Sequence, residues 1–274
     1  MDRLFVVNKP INRSSNSYLG WIKRKYKVKK AGFSGTLDPF ACGCLVVAFG
    51  KYTQLFQYLQ KAPKTYRTTI WLGARSPSLD NENVESIDEV NSLDEELIKK
   101  EIENLKGTLT YLPPKNSAKK IDGKRAYNLA RDGKDVKLKE ITSEIYGVKF
   151  LNYNHPFISL ELTVSEGSYI RSIAQVLLDR LSTVGTLSYL ERLHEGKFQF
   201  ENEIALDPLE YLKLDFIEYK GSKEWMELGR PLRKDFFEEK PNGSYIVKFD
   251  TFFSIVKVSD EEIKYELNRI MIDE

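Results

Sequence analysis

One carboxylate stands out in the first quarter of the chain. Among residues 1–75 the only acids are Asp2 and Asp38, set against 14 Lys and Arg. Asp38 lies in Lys30-Ala-Gly-Phe-Ser-Gly-Thr-Leu-Asp-Pro-Phe-Ala-Cys-Gly-Cys44, with glycines at 32, 35 and 43. Glycine admits positive φ and close backbone approach, and Pro39 fixes the chain directly after the acid. The pattern predicts a rigid loop presenting a single carboxylate, which in its ionised form can attack carbon or remove a proton. A bare Gly-Thr-Leu-Asp-Pro would by itself favour a plainer reading, a turn in which Asp38 only accepts from backbone amides.

Three more side chains bear on that chemistry. Arg171 falls near the start of a helix whose apolar stripe lies elsewhere. A cation there gains nothing from the helix dipole, so its side chain is free to point into a cleft. A buried carboxylate resists ionisation, and a neighbouring cation reverses that by roughly 1–3 pKa units. Tyr66 sits on an alternating segment and reads either as a core tyrosine or as an aromatic platform. Tyr169, two residues before Arg171, either lines the same pocket or is buried with its hydroxyl satisfied by backbone.

The elements that must position these groups follow from periodicity. Leu4 to Val7 reads as a short buried strand ended by Pro10. Ser14 and Ser15 are N-cap candidates for a helix to about Tyr26, with Tyr18, Leu19, Ile22 and Tyr26 at helical spacing. Leu45–Phe49 reads as a strand and Lys51–Gln60 as a helix. Tyr66, Thr68, Ile70 and Leu72 alternate along Lys64–Gly73, as do Ile158, Leu160, Leu162 and Val164 further on. Residues 76–92 are polar and acidic and predict an exposed loop. Leu93–Leu105 and Gly123–Arg131 read as helices. Ser168 can cap a helix with the stripe Ile170, Ile173, Ala174, Leu177, Leu178 and Leu181. Thr183–Leu193 reads as extended chain and loop. Strand-like runs return at Tyr245–Phe249 and Phe253–Val258.

Composition narrows the class. The chain has 274 residues, 41% hydrophobic and 30% charged, and a net charge of +2 that conceals basic segments at 1–75 and 105–150. Such segments suggest a polyanionic ligand, with a solvated lysine-rich face as the alternative. Its longest apolar run is far too short to span a bilayer, and no secretory signal is evident at the start. Two cysteines, Cys42 and Cys44, are too closely spaced for a disulfide scaffold. Two histidines and two cysteines also make a structural zinc site unexpected. The expected compartment is the cytoplasm.

The stretch around Asp38 resembles the catalytic loop of the TruB family of tRNA pseudouridine synthases. Three further blocks in the same order are similar to that family: Lys64-Thr-Tyr-Arg-Thr-Thr-Ile-Trp-Leu-Gly73, Pro113-Pro-Lys-Asn-Ser-Ala-Lys-Lys-Ile-Asp-Gly-Lys-Arg-Ala-Tyr-Asn-Leu-Ala-Arg-Asp-Gly133 and Gly167-Ser-Tyr-Ile-Arg-Ser-Ile173. Lys9-Pro10 before a serine-capped helix resembles its N-terminal entry. Any one motif would be a hypothesis only; four in order cover roughly residues 4–198. This sequence departs from the pattern at Phe33, where histidine is usual, and at Tyr111, where glutamine is usual. The stretch after the second block also lacks the usual Thr-Asp-rich pattern.

The resemblance implies an α/β fold of the α+β type. Its central sheet would be mixed and mainly antiparallel, flanked by helices, over residues 1–205, followed by a short β-rich, PUA-like domain over 206–274. It implies isomerisation of uridine 55 in the TΨC loop of tRNA, with no metal, redox cofactor or nucleotide required. Asp38, Tyr66 and Arg171 would be catalytic. Tyr169, Leu190, Phe33 and Lys9 would contact substrate. Lys23, Lys27, Lys30, Lys115, Lys119, Lys120 and Arg125 would meet phosphates, which position RNA without reading it. The T-arm alone would suffice as partner, with the protein a monomer away from membranes. Two rivals are a non-catalytic tRNA-binding protein using the same surface and a pseudouridine synthase acting on another structured RNA.

Overall fold

The computed structural model describes residues 1–114, 120–121, 124–125 and 138–272. In chain order the strands are β1 (Arg3–Lys9), β2 (Ala31–Ser34), β3 (Cys42–Phe49), β4 (Lys64–Leu72), β5 (Ala74–Arg75), β6 (Ser86–Ile87), β7 (Gly107–Tyr111), β8 (Lys120–Ile121), β9 (Lys124–Arg125), β10 (Ile141–Asn154), β11 (Phe157–Val164), β12 (Gly185–Glu195), β13 (Gly243–Lys248), β14 (Phe252–Val258) and β15 (Ile263–Met271). The helices are α1 (Ser15–Lys25), α2 (Glu95–Glu103), α3 (Ile170–Arg180) and the single-turn α4 (Lys223–Glu227).

Alternation decides the sheet. On β4 the side chains of Lys64, Tyr66, Thr68, Ile70 and Leu72 are buried and those between them are more open. On β11, Ile158, Leu160, Leu162 and Val164 face the same core. The main sheet runs β1-β3-β12-β4-β11-β10-β7, with β2 pairing the Val46–Phe49 end of β3 on the edge opposite β1. Every pair is antiparallel except β3–β12. That parallel contact is short, Glu191 and Arg192 beside Cys42 and Gly43. A Cβ on Gly43 would lie 2.3 Å from the Arg192 carbonyl oxygen, so only glycine permits this approach.

Where Thr183–Leu193 reads as extended chain and loop, residues 185–195 form one continuous strand, β12, inside the sheet between β3 and β4. Its charged residues obscured the pattern, because Arg192 and Glu195 are buried as a pair rather than exposed. Gly50–Gln57 is a 3₁₀ helix, shorter and tighter than the α-helix expected there.

Helix α1 starts at Ser14, whose hydroxyl accepts from the Ser17 amide at 3.2 Å. It packs Tyr18 and Ile22 onto Phe5, Val7, Leu45, Val47 and Phe49. Helix α3 packs Ile173, Leu177 and Leu178 against the opposite end of the sheet, with Ile70, Ile158 and Leu160 in the same core. Each such fully buried aliphatic side chain contributes roughly 1.5–3 kcal/mol. Ser168 does not cap α3; Tyr169 is the cap residue and makes no side-chain cap bond. The Ser168 hydroxyl instead donates to the Ser165 carbonyl.

Strands β13–β15 form a separate three-stranded antiparallel sheet. One face, with Val247, Val256 and Ile263, encloses its own core with Met226 and Phe237. Ile246, Phe253, Ile255 and Ile270 join Leu4, Val6 and Val46 of the main sheet and Tyr52 and Leu55 of the 3₁₀ helix. The small sheet is therefore docked by apolar burial. No helix among the described residues is long and apolar enough to cross a membrane. The expected helix at Gly123–Arg131, apart from the β9 backbone, lies outside the described residues, as do Lys115 and Lys119.

Candidate active site

The loop between β2 and β3 is fastened along its length. Gly35 has φ +62° and its carbonyl accepts from Arg192 Nη2 at 2.9 Å. The buried Ser15 hydroxyl makes 2.9 Å contacts with both Leu37 N and Leu37 O. The Ala41 amide donates to the Asp38 carbonyl at 3.1 Å. Lys9 donates to the Pro10 carbonyl at 2.9 Å, to the Arg13 carbonyl, and more distantly to the Pro39 carbonyl at 3.4 Å. Only one of the two serines can cap α1; the other, Ser15, is used to hold the loop.

That loop delivers Asp38 to a guanidinium. Arg171 Nη2 lies 2.9 Å from Asp38 Oδ2. Arg171 Nη1 donates to the Ser78 carbonyl at 2.7 Å and to Asp80 Oδ2 at 3.1 Å. Arg171 and Asp80 are 5% and 3% exposed at the side chain, whereas Asp38 is 37% exposed. The reactive-looking oxygen is thus the accessible member of a buried cluster. Asp80 is fixed in turn, accepting from the Ser78 hydroxyl and the Glu82 amide.

The electrostatic outcome differs from the expected one. Burial pushes the Asp38 carboxyl above its ordinary range; Arg171 pulls it back, Asp80 opposes that, and Lys9 adds a smaller downward pull. The cation does not fully restore ionisation because it is shared with a second carboxylate. Burial likewise lowers the Lys9 ammonium to about 8.

Asp38 and Arg171 line a cavity of about 370 Å³ together with Tyr66, Tyr169, Leu190 and Arg192. Tyr66 comes from β4 and Leu190 from β12, so sheet pairing sets one side. Tyr169, Ile170 and Arg171 come from the start of α3. The Tyr169 amide donates to the Tyr111 hydroxyl at 3.0 Å, and that hydroxyl also meets Ser143 Oγ at 2.7 Å. Tyr111 therefore supports the start of α3 from β7.

Five of the expected site residues meet here: Asp38, Tyr66, Arg171, Tyr169 and Leu190. Two do not. Lys9 is fully buried and spends its donors on backbone carbonyls, so it clamps the loop instead of facing the cavity. Phe33 packs on the α1 side of the sheet with the Phe5, Ile22 and Val47 cluster. Lys27 and Lys30 are exposed in the turn after α1 and Lys23 is partly buried on it. Lys120 and Arg125 are backbone register partners on the β8–β9 pair.

Asp80 went unforeseen, because residues 76–92 read as an exposed acidic loop. Ser78 and Asp80 are buried there. Nothing in the spacing separates Asp80 from the other acids of that stretch. The available clue was chemical: a buried arginine facing one half-buried carboxylate leaves donors to satisfy. No cluster of three His, Cys, Asp or Glu among the described residues could hold a metal ion.

The chain is similar to known proteins over most of its length. The profile described as TruB family pseudouridylate synthase (N terminal domain) matches residues 23–170. The chain is 57% identical over 270 residues to the tRNA pseudouridine synthase B of Sulfurovum sp., covering 98% of both chains. It is 44% identical over 272 residues to the protein of that name from Campylobacter jejuni, covering 98% of this chain and 99% of that one. Among solved structures, one in a Cbf5-Nop10-Gar1 complex superposes with a TM-score of 0.57 at 25% identity, covering 73% of this chain and 50% of that one. Another, in an H/ACA RNP bound to a substrate RNA containing 2'-deoxyuridine, superposes with a TM-score of 0.66 at 17% identity, covering 99% and 85%. These superpositions speak for the fold.

Proposed function

Because the chain belongs to the TruB family of pseudouridylate synthases, we propose that it isomerises uridine 55 in the TΨC loop of tRNA to pseudouridine, with Asp38 as the catalytic carboxylate. The observation that carries this reading is the 2.9 Å Arg171–Asp38 pair at a cavity walled by Tyr66, Tyr169 and Leu190. The reaction breaks the N1–C1′ bond, turns the uracil and joins C5 to C1′, so no atom is gained or lost.

Asp38 acts as the ionised carboxylate, and Arg171 holds its oxygen toward the base while offsetting part of the cost of burial. Tyr66 offers its ring to the flipped uracil. Leaving the helical stack costs a base a few kcal/mol, and an aromatic platform returns roughly 1–3 kcal/mol. Tyr169 and Leu190 close the pocket around the ring. Lys23, Lys27 and Lys30, with the lysines and arginine of 115–125, meet phosphates of the T-arm, the only part of the tRNA required. The small C-terminal sheet serves as a reduced PUA-like module. The protein works as a monomer in the cytoplasm.

The test is incubation of the pure protein with an unmodified T-arm hairpin, followed by mapping of pseudouridine. Pseudouridine at the position equivalent to 55, abolished by Asp38→Asn with hairpin binding near wild type, is the expected result. Binding without any pseudouridine would favour a tRNA-binding protein instead. Substantial turnover by Asp38→Asn would remove Asp38 from its role.

A further inference from the structure

Behind Tyr66 lies a second charged cluster that the mechanism above does not use. Arg192 is 1% exposed and Glu195 fully buried. Arg192 Nη2 lies 3.1 Å from Glu195 Oε2, and Lys64 Nζ lies 3.3 Å from Glu195 Oε1. The Ser34 hydroxyl donates to the same Oε1 at 3.1 Å. Arg192 also donates from Nε to the Cys44 carbonyl at 2.8 Å and from Nη2 to the Gly35 carbonyl at 2.9 Å. The cluster fills its space: a Cβ on Gly35 would lie 3.0 Å from Arg192 Nη1, Glu195 Oε1 and Lys64 Nζ. Two buried cations against one carboxylate leave one positive charge in excess, an arrangement that purely structural packing does not require.

Arg192 and Tyr66 are register partners on β12 and β4, which sets the guanidinium in electrostatic contact with the Tyr66 oxygen. Both line the cavity. A guanidinium only donates, so the phenol oxygen is the group that Arg192 can hold. Burial works against the charge on Arg192, and the Tyr66 oxygen and Glu195 more than restore it. Carbonyls of Gly35 and Cys44 fix the donor, and Glu195, tied to Lys64, backs it.

We propose that Arg192 is a positioning residue for Tyr66: anchored by Glu195, Lys64 and two backbone carbonyls, it fixes the phenol oxygen and hence the angle of the ring offered to the uracil. The inference rests on the role given to Tyr66 above. It predicts that Lys64 and Glu195, neither of which touches Tyr66 in the hydrogen-bond pattern, affect turnover only through Arg192 and Tyr66.

The test is a double-mutant cycle on single-turnover pseudouridine formation in the T-arm hairpin, using wild type, Arg192→Lys, Tyr66→Phe and the double variant. Loss of a charged contact to a positioned group slows the reaction by about 10- to 100-fold for Arg192→Lys. Hairpin affinity should change by less than about threefold, because the contact positions a ring and holds no phosphate. In the Tyr66→Phe background the same substitution should cost less than about threefold more, the mark of coupled residues. An undiminished loss in that background, or a wild-type rate for Arg192→Lys, overturns the proposal. Should Arg192→Lys fail to fold, Lys64→Met runs the same cycle: a several-fold loss present with Tyr66 and absent in Tyr66→Phe supports the proposal. An equal loss in both, or none, overturns it. A wild-type rate for Tyr66→Phe alone overturns this proposal while leaving the aromatic platform at Tyr66 in place. Absence of pseudouridine from the wild-type reaction would overturn the reaction itself.

Discussion

Arg171 and Arg192 line the same cavity, and both are almost wholly buried against carboxylates, yet their surroundings are opposite. Arg171 divides its donors between Asp38, Asp80 and one carbonyl, so its cluster carries one excess negative charge. Arg192 shares Glu195 with Lys64, so its cluster carries one excess positive charge. The first cluster opens to solvent at Asp38; the second is closed apart from its pocket edge. The difference teaches how one pocket can hold a carboxylate that is costly to ionise. Charge that must change or react is placed at the accessible end of an under-neutralised cluster. Charge that only has to hold geometry is sealed and over-neutralised.

Breaking the first cluster gives the largest effect. Lysine cannot span two carboxylates and a carbonyl with a planar fork. Arg171→Lys should therefore slow single-turnover pseudouridine formation by about 100-fold or more, the scale of losing a buried charge-assisted pair. Hairpin binding should stay near wild type. A wild-type rate in that variant would take Arg171 out of the mechanism and erase the contrast with Arg192.

Asp80→Asn sharpens the comparison by removing the surplus negative charge. Asparagine can still accept from Arg171, so the expected loss at neutral pH is smaller, about 10-fold. The pH profile is the more telling measurement. Asp38 acts when ionised, so activity falls as pH drops through its raised pKa. Asp80 contributes to that elevation. Removing its charge lowers the pKa, and the acid limb of the rate profile should move to lower pH. A limb that stays fixed or moves upward would mean that Asp80 does not face Asp38 electrostatically.

The two clusters were unequally legible in the sequence. Asp38, Tyr66 and Arg171 sit in local motifs, and alternation along β4 and the stripe on α3 give their elements directly. Those patterns work because each face meets a uniform core. The second cluster breaks the rule that charge is exposed. Lys64 and Glu195 meet only because β4 and β12 pair antiparallel, and two strand-end charges give no local sign of burial. Asp80 failed for a related reason: its burial depends on a turn closing over a distant arginine. Lys9 was read as a substrate contact from its place in a motif. Its use as a loop clamp appears only once the carbonyls of Pro10, Arg13 and Pro39 converge on it.

Lys9 tests whether the loop is held by charge or only by packing. Its ammonium is lowered from 10.5 to about 8 in the fold. A depressed amine makes its contribution above the unfolded pKa and loses it as pH falls through the folded one. Wild type should therefore gain stability relative to Lys9→Met between pH 8 and 10.5, by up to about 3 kcal/mol. Thermal melts of both proteins across that window check it. Parallel melting curves would show that Lys9 is not held charged against its burial at neutral pH.

Asp38→Asn gives the smallest effect on stability and the cleanest contrast between function and stability. The Asp38 carboxyl is raised by burial first, with Arg171 and Lys9 only partly compensating. A raised carboxyl contributes stability while protonated, below its unfolded value of 3.8, and loses it as pH rises through the folded pKa. At pH 7 the wild type has lost that contribution, whereas asparagine stays neutral and leaves Arg171 paired with Asp80. Asp38→Asn should thus be inactive yet melt at a higher temperature than wild type at pH 7, with the gap closing as the pH approaches 3.8. The opposite order of melting temperatures would mean that Arg171 overcomes the desolvation of Asp38 after all. The carboxylate would then be a stabilising partner of the fold, and the contrast between the two arginine clusters would disappear.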